Sequence, residues 1–506
     1  MSNSYIWWGI VAYVIVALAV GYMSREASSA SSMSEFFIGN RKMKGMVATL
    51  SYSATIFSAF LMIGMVGLTY AGGVGALGFE LAYFVSLAIV ALVGPKFWMV
   101  GKKYGYITPS EMLGHRYNSK ALAFIAAGAA CVFLIPYSAV QLAGVGYLLQ
   151  GMSDGAISFT TGVIVAAVLA VVFAYVAGIR SVMWTDALQA AVMIVGLVAV
   201  VGIVVSEIGG LGTLFDRVAA EQPKALTVPG DGVFSFITFI GITIPWLFYA
   251  VANPQVSQRL FMSASLKSMR HTIIGSMLFG LVGIVLAVVL GLCVRLLIPG
   301  LEKADLATPV LLGSAHIPPF IGIVMMIAAV GAAVSTIDSI ILTLSSMVAR
   351  DIYANTKAAS SESAQLNIGK WVVPVIAIMA VVFAELQLDL IAMLSVASVT
   401  GLAVLVPATL GAFYWKRGTA LGGIVSVVCT GILVLFIYAN GNSLLGLPAG
   451  VWSLPLASIL FVVVSLFSKK PGRIADEFMA EATRVRFGND SAGPKAVTRP
   501  ALQEEA

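Results

Sequence analysis

Apolar stretches of about 20 residues follow one another along almost the whole chain, and a helix of that length crosses about 30 Å of hydrocarbon. Of the 506 residues, 59% are hydrophobic and only 10% are charged. Soluble domains carry about 25% charged residues. The sequence therefore predicts an all-α polytopic membrane protein that is solvated mostly by lipid.

The apolar pattern predicts about thirteen transmembrane helices. We place them near residues 5–24, 47–71, 75–100, 120–150, 156–177, 183–206, 233–253, 272–298, 318–348, 370–388, 390–414, 419–440 and 449–468. Residues 1–470 then form a single transmembrane domain. Residues 471–506 are polar and are expected to form a partly disordered cytoplasmic tail.

The basic residues predict the orientation of these spans. If the N-terminus is outside, all but four of the 29 Lys and Arg residues fall on the cytoplasmic side, the exceptions being Arg217, Lys224, Arg295 and Lys303. This distribution satisfies the positive-inside rule and supports an odd number of spans with the C-terminus inside. The net charge of +6 then reflects cytoplasmic loops rather than nucleic-acid binding. The N-terminal layout fits the inner membrane of a prokaryote.

Two predicted spans contain sequences that interrupt a helix. The second span holds the run of small and hydroxyl residues from Ser51 to Ala59, and the seventh holds Pro245 and ends in Asn253-Pro254. Irregular backbone at membrane depth survives only where it lines a site or cavity. The two spans occupy matching positions in two five-helix halves, 47–206 and 233–414, which predicts an inverted-repeat transporter with its site at the midplane. The alternative is that the small residues serve helix packing and that Pro245 only kinks its helix.

Three acidic residues, Glu80, Asp186 and Asp338, lie inside apolar stretches, where a charge is costly and is by default a functional candidate. Asp186 has an alternative role, because it could pair with Arg180 or cap a helix. Glu80 is the weakest candidate, since it could line a vestibule or face the outside.

Hydroxyl residues surround Asp338 in the predicted ninth span, namely Ser335, Thr336 and Ser339. Hard cations such as Na⁺ take oxygen ligands from carboxylates, hydroxyls and carbonyls, and an interrupted helix offers free carbonyls. The sequence therefore predicts a sodium site here. The alternative, hydroxyls bonding back to their own helix, explains one or two of these residues but not the accompanying carboxylate.

A pocket for a small organic solute is predicted from polar and aromatic residues near the interrupted spans. The candidates are Ser58, Tyr137, Gln141, Trp246 and Tyr249. Aromatic residues in membrane helices also serve packing, which remains the alternative for each of them.

The chain resembles the sodium:solute symporter family over about residues 5 to 470. The segments that carry the resemblance are Phe36 to Arg41, Gly178 to Asp186, Asn253 to Arg259, and Ser335 to Ser339 followed by Arg350 to Tyr353. The resemblance implies a LeuT-like core of five-plus-five inverted repeats, with one extra helix before it and two after. It also implies sodium-driven alternating access, with Na⁺ as the coupling ion and no organic cofactor.

The resemblance further implies specific sites. The main sodium site would comprise the backbone carbonyls of Ala54, Phe57 and Ala332 with the hydroxyls of Ser335 and Thr336. A second sodium site would comprise Asp186, Asp338 and Ser339. The residues Tyr137 and Trp246 match positions near substrate in proline carriers.

One departure from the family bears on the substrate. Proline carriers place an acidic residue where this chain has Ile56, which weakens a proline assignment. The segment Pro136 to Leu142 is more similar to the monocarboxylate and pantothenate branches. The leading expectation is therefore Na⁺-coupled import of a monocarboxylate or related organic acid. The sequence leaves the oligomeric state open, and a functional monomer in the lipid bilayer is compatible with it. Proline or pantothenate transport and H⁺ coupling remain alternatives.

Other functional classes are disfavoured by missing motifs. An intramembrane aspartyl protease built on Asp186 and Asp338 would need a Gly-x-Gly-Asp arrangement, which no span contains. A primary pump would need a phosphate-binding loop, which is also absent. A sensor would need a signalling domain, and the short tail does not provide one.

Overall fold

The computed structural model describes residues 3–23, 32–356, 361–387 and 390–484. Its helices are α1 (Asn3–Met23), α2 (Met33–Ile38), α3 (Gly45–Ala59), α4 (Met65–Gly72), α5 (Gly75–Tyr104), α6 (Pro109–Arg116), α7 (Lys120–Met152), α8 (Phe159–Ile208), α9 (Leu211–Glu221), α10 (Phe236–Trp246), α11 (Tyr249–Ala252), α12 (Pro254–Gln258), α13 (Leu266–Leu297), α14 (Ala307–Gly313), α15 (Pro319–Met347), α16 (Ala354–Thr356), α17 (Glu362–Glu385), α18 (Ile391–Leu402), α19 (Val406–Tyr414), α20 (Ala420–Ala439), α21 (Ala449–Phe467) and α22 (Arg473–Thr483). Short 3-10 or π turns lie at Gly39–Arg41, Phe60–Gly64, Pro223–Leu226, Arg259–Phe261, Ala304–Leu306, Val348–Tyr353 and Ala403–Leu405. Strands β1 (Ser443–Leu444) and β2 (Leu447–Pro448) form a small antiparallel hairpin before α21.

Several long helices begin at a hydroxyl residue that caps the first turn. The side chains of Ser119, Ser158 and Ser265 accept hydrogen bonds from backbone N–H groups at the starts of α7, α8 and α13. A helix start leaves backbone donors without partners, and these side chains satisfy one donor each. The capping residues therefore fix where the spans begin.

Eleven helical segments in the described ranges are long and apolar enough to cross a membrane. Two shorter apolar segments, Phe159–Tyr175 and Phe236–Trp246, occupy the positions of the predicted fifth and seventh spans. The polytopic all-α fold is therefore confirmed. Length and composition alone support eleven spans in the described ranges. The two shorter segments bring the number to the thirteen spans expected from the sequence.

The fifth and sixth predicted spans form one helical run, α8, rather than two separate helices. The Thr160 hydroxyl near its start donates to Glu385 at the end of α17 (2.9 Å), and Glu207 near its end bonds to His316 just before α15 (2.6 Å). In between, the Tyr175 hydroxyl donates to the backbone near the start of α17.

These contacts show that α8 turns back on itself. The helices α15 and α17 are consecutive neighbours whose facing ends are joined by a hydrogen bond from Arg350 to Gln365 (2.9 Å), so they run in opposite directions. The start of α15 and the end of α17 therefore share one face, and both ends of α8 lie there. A straight helix of 50 residues would extend about 75 Å, more than twice the hydrocarbon thickness. The run α8 thus makes the two predicted passes, with a bend in place of the expected loop.

The spans that carry the hydroxyl residues are among the most buried. Within an apolar stretch of 18 residues in each span, 89% of the residues are buried in Gly45–Gly72, 78% in Ile391–Tyr414 and 72% in the α15 segment, against about one-third or fewer in α1 and α21. An apolar side chain is about as stable against lipid as inside the protein, so apolar residues do not determine which helices are central. Polar groups are unfavourable in lipid, so the helices that carry them lie at the centre. The hydroxyl-rich helices α3 and α15 pack directly against each other and against α8.

Part of the predicted tail is an ordered helix. The Phe478 ring of α22 is buried against the rings of Tyr104 (centroids 6.3 Å apart) and Phe413 (5.7 Å), at the ends of α5 and α19. Glu481 of the same helix lies 3.6 Å from the Lys103 ammonium. Residues 485–506 of the predicted disordered tail lie outside the described residues.

Candidate functional site

The second span is interrupted at the predicted place. Phe57 (φ −93°, ψ 19°) and Ser58 (φ −17°, ψ −160°) depart from helical geometry at the end of α3, and a π turn follows over Phe60–Gly64. The break frees backbone donors, and side chains satisfy them. The Gln141 side-chain oxygen accepts from the Ala59 N–H (3.2 Å), and the Ser58 hydroxyl accepts from the Phe60 N–H (3.2 Å). Such substitutes for intrahelical bonds are required at membrane depth.

The seventh span is interrupted as well, which confirms the prediction from Pro245. The helix α10 ends at Trp246 and α11 begins at Tyr249. The Ser86 hydroxyl of α5 accepts a hydrogen bond from the Ala250 N–H (2.8 Å). Each break is therefore held by a polar side chain from another helix.

Residues of the predicted main sodium site converge where the first break meets α15. The Thr336 hydroxyl lies 3.0 Å from the Ala332 carbonyl oxygen and 3.5 Å from that of Ala54. Phe57 begins the irregular turn just beyond Ala54, and Ser335 is the neighbour of Thr336. The structure thus brings the two predicted stretches together across the α3–α15 contact.

The Ser335 hydroxyl is buried and interacts with the Asp186 carboxylate. Its neighbours at the break are hydroxyl and carbonyl oxygens, the ligands that hard cations prefer. The donor set therefore fits a sodium ion.

The carboxylate of Asp186 lies at the centre of a buried cluster of hydrogen bonds. One of its oxygens, Oδ2, accepts from the Ser51 hydroxyl (2.7 Å) and from the Arg259 guanidinium (3.3 Å). The same guanidinium donates to the hydroxyls of Ser51 (2.6 Å) and Ser339 (2.5 Å). The carboxylates of Asp186 and Asp338 interact electrostatically, and the Oδ1 atom of each lacks a hydrogen-bond partner in the described part of the chain. The three residues of the predicted second sodium site are therefore neighbours.

Arg259 is a member of this cluster that sequence reasoning missed. The proposed alternative partner of Asp186 was Arg180, whose side chain lies outside the described residues. Arg259 ends the segment Asn253 to Arg259, which served only as a marker of the family. A charged residue directly after an interrupted span was the signal that could have identified it.

The aromatic residues predicted for the solute site lie together, Tyr137 on α7 and the other two beside the second break. The hydroxyls of Tyr137 and Tyr249 are 3.1 Å apart, and the Trp246 and Tyr249 rings lie 4.9 Å between centroids. Ser58 lies beside Tyr137. All of these side chains are buried.

Glu80 belongs to this site and does not face the outside. Its carboxylate accepts a hydrogen bond from the Trp246 indole N–H (3.0 Å), and the residue is 2% exposed. The Tyr83 ring lies between Tyr249 (6.1 Å) and Phe57 (5.2 Å), so it joins the solute site to the first break. Tyr83 was not predicted, because nothing in its local sequence distinguishes it from a packing residue.

Most of the chain matches a known protein family. A profile of the Sodium:solute symporter family matches residues 36–431. The chain is 28% identical to the sodium/pantothenate symporter of Escherichia coli strain K12, over 90% of this chain and 95% of that protein. It is 26% identical to the sodium/proline symporter of Staphylococcus aureus strain JH9, over 92% of this chain and 93% of that protein.

A solved structure agrees in fold. The chain superposes on a Na⁺-coupled sialic acid symporter with a TM-score of 0.76 at 20% identity, covering 92% of this chain and 98% of that one. The similarity confirms the expected LeuT-like fold. On the family profile and these matches together, the chain belongs to the sodium:solute symporter family.

Proposed function

We propose that this protein imports a small organic solute, with a monocarboxylate or related organic acid as the leading candidate, by Na⁺ symport with alternating access. The observation that carries the proposal is the set of oxygen atoms at the first break, where Thr336 joins the carbonyls of Ala54 and Ala332. The site lies beside the second interrupted span and its aromatic residues. An ion and a solute would therefore bind to adjoining parts of the same irregular backbone.

The ligand chemistry favours Na⁺ over H⁺ at the main sodium site. Its proposed ligands are neutral carbonyl and hydroxyl oxygens, none of which gains or loses a proton near neutral pH. Proton coupling would have to use a carboxylate, and the candidates are Asp186, Asp338 and Glu80. We place a second sodium ion at Asp186, Asp338 and Ser339, where the Arg259 guanidinium pairs with Asp186 and donates to Ser339.

The solute site offers hydrogen-bond donors that suit an organic acid. The Gln141 amide nitrogen and the Tyr83 hydroxyl have no partners among the described residues. A solute carboxylate accepts from such donors. The E. coli relative is a pantothenate symporter, and pantothenate is itself a carboxylate.

The two interrupted spans also support alternating access. We assign residues 47–206 and 233–414 to two inverted repeats within one transporter domain, 1–470, with the N-terminus outside and the C-terminus in the cytoplasm. The buried solute site then opens to one side at a time. The protein is expected to work as a monomer in the bacterial inner membrane. The ion pair of Asp186 with Arg259 argues against the intramembrane protease, whose two carboxylates must share a proton.

The test is uptake into proteoliposomes under imposed gradients. Radiolabelled pyruvate, lactate, acetate, pantothenate and proline are supplied with an inward Na⁺ gradient, an inward H⁺ gradient or neither. We expect Na⁺ to drive accumulation of a carboxylate, and we expect the Ser335→Ala/Thr336→Ala double variant to need far more Na⁺. Uptake that follows the pH gradient and ignores Na⁺ would refute the sodium assignment.

A further inference from the structure

Arg259 is a buried cation whose three acceptors come from three different helices. They are Ser51 of α3, Asp186 of α8 and Ser339 of α15. The residue is 6% exposed, so its guanidinium is largely removed from water. A buried charge needs such a complete set of partners. These three acceptors therefore hold the guanidinium in one position in this conformation.

The acceptors of Arg259 overlap the proposed second sodium site. Asp186 and Ser339 are two of its three residues, and Arg259 contacts an oxygen of each. A sodium ion on those oxygens would lie within a few ångströms of the guanidinium. Two unit charges about 4 Å apart repel strongly unless water screens them, and this site is buried.

We propose that Arg259 is a tethered cation that competes with sodium for Asp186 and Ser339, so that the second sodium binds only when Arg259 withdraws. This inference rests on the proposed function, since it takes the second sodium site as given. It adds a residue that controls the occupancy of that site. Arg259 replaces the departing ion, and the carboxylate is not left unpaired.

The position of Arg259 in the chain couples this exchange to the interrupted spans. It begins the short turn Arg259–Phe261, which follows α11 and α12 beyond the second break. Its partner Ser51 lies on α3 shortly before the first break. Both residues therefore adjoin the interrupted spans, whereas Asp186 and Ser339 lie on α8 and α15. A relative movement of the two groups would draw the guanidinium away from the carboxylate.

The test is thermal unfolding of the purified full-length protein in detergent, titrated with NaCl while choline chloride keeps the ionic strength constant. For Arg259→Gln we expect the half-maximal Na⁺ concentration to fall about tenfold or more, a factor that corresponds to about 1.4 kcal/mol. Adding Asp186→Asn to this variant should abolish the gain, because the competed site is then lost. The matched control is Arg295→Gln, which breaks a peripheral ion pair with Asp231 (3.0 Å) and should leave the half-maximal concentration unchanged.

Ser51→Ala provides a second variant in case Arg259→Gln does not fold. It removes an anchor of Arg259 without removing a proposed sodium ligand, so the half-maximal Na⁺ concentration should fall. A purely structural cluster predicts no change or a rise. A wild type that responds to Na⁺ while neither variant shifts the titration overturns this inference and leaves the proposed function intact. A wild type without any Na⁺ response overturns both.

Discussion

Ser335→Ala tests whether the Ser335 hydroxyl, which is buried beside the Asp186 carboxylate, is a sodium ligand. The matched control is Ser345 on the same helix, which is also buried and whose hydroxyl has no hydrogen-bond partner in the described ranges. In the absence of Na⁺, Ser345→Ala should be as stable as the wild type or more stable, because it removes no hydrogen bond. Ser335→Ala should lose up to about 1–3 kcal/mol, because it removes the bond to the carboxylate.

Sodium should distinguish the two positions. Ser335 is one of five proposed ligands of the main sodium site, and a polar contact to a charged group contributes about 1.5–3 kcal/mol. Its loss should raise the half-maximal Na⁺ concentration about 10- to 100-fold, since 1.4 kcal/mol corresponds to a factor of ten. Ser345 lies about 15 Å further along the helix axis, so Ser345→Ala should leave the Na⁺ titration unchanged.

The assay is the unfolding temperature of the purified variants in detergent, first without Na⁺ and then across a NaCl titration at constant ionic strength. If Ser335→Ala and Ser345→Ala give the same Na⁺ titration, Ser335 is not a sodium ligand.

Three further variants probe the breaks, the aromatic site and the tail. Gln141→Leu should destabilise the protein by about 1–3 kcal/mol in thermal unfolding and impair uptake, because the donor at the first break loses its acceptor; normal uptake would contradict this role. Trp246→Phe keeps an aromatic ring but leaves the Glu80 carboxylate without its indole donor. The KM for the solute should therefore rise, and stability should fall by at least about 1 kcal/mol. An unchanged KM would show that Glu80 is not part of the solute site. Phe478→Ala should weaken the docking of α22 by about 3 kcal/mol, and the backbone amides of α22 should then exchange faster with deuterium. The control Phe467→Ala, at a position that is 89% exposed, should leave this exchange unchanged.

The fold was predictable from the sequence because membrane solvation imposes a strong one-dimensional pattern. Each span must be apolar over a set length, and each break in it must be satisfied by protein. Pro245 and the hydroxyl run ending at Ala59 therefore identified both interruptions. The pairing of α3 with α15 followed from oxygen chemistry together with the family resemblance, since Ala54 and Thr336 are far apart in the chain.

Features that depend on tertiary contacts were not predictable. The bend inside α8 was expected to be a loop, because residues 178–182 read as the end of one span and the start of the next. The partner of Asp186 was sought in the local sequence at Arg180, whereas the structure supplies Arg259 from another helix. The tail helix α22 is polar overall, and only its docked Phe478 shows which face it buries. Each of these depends on a long-range contact that no local pattern encodes.

The proposed sodium and solute sites share one short irregular turn, and this limits how they can be coupled. Ala54 and Phe57 supply the carbonyls proposed for sodium, and directly after them Ser58 and Ala59 reach Tyr137 and Gln141. An ion that holds the first two residues in place also restricts the next two. Part of the entropy cost of ordering the solute site is then met before the solute binds. Sodium would therefore raise the affinity for the solute, and by linkage the solute would raise the affinity for sodium by the same factor. Because the two sites are coupled through adjacent backbone residues, we infer that the coupling does not depend on a chain of contacts through distant residues.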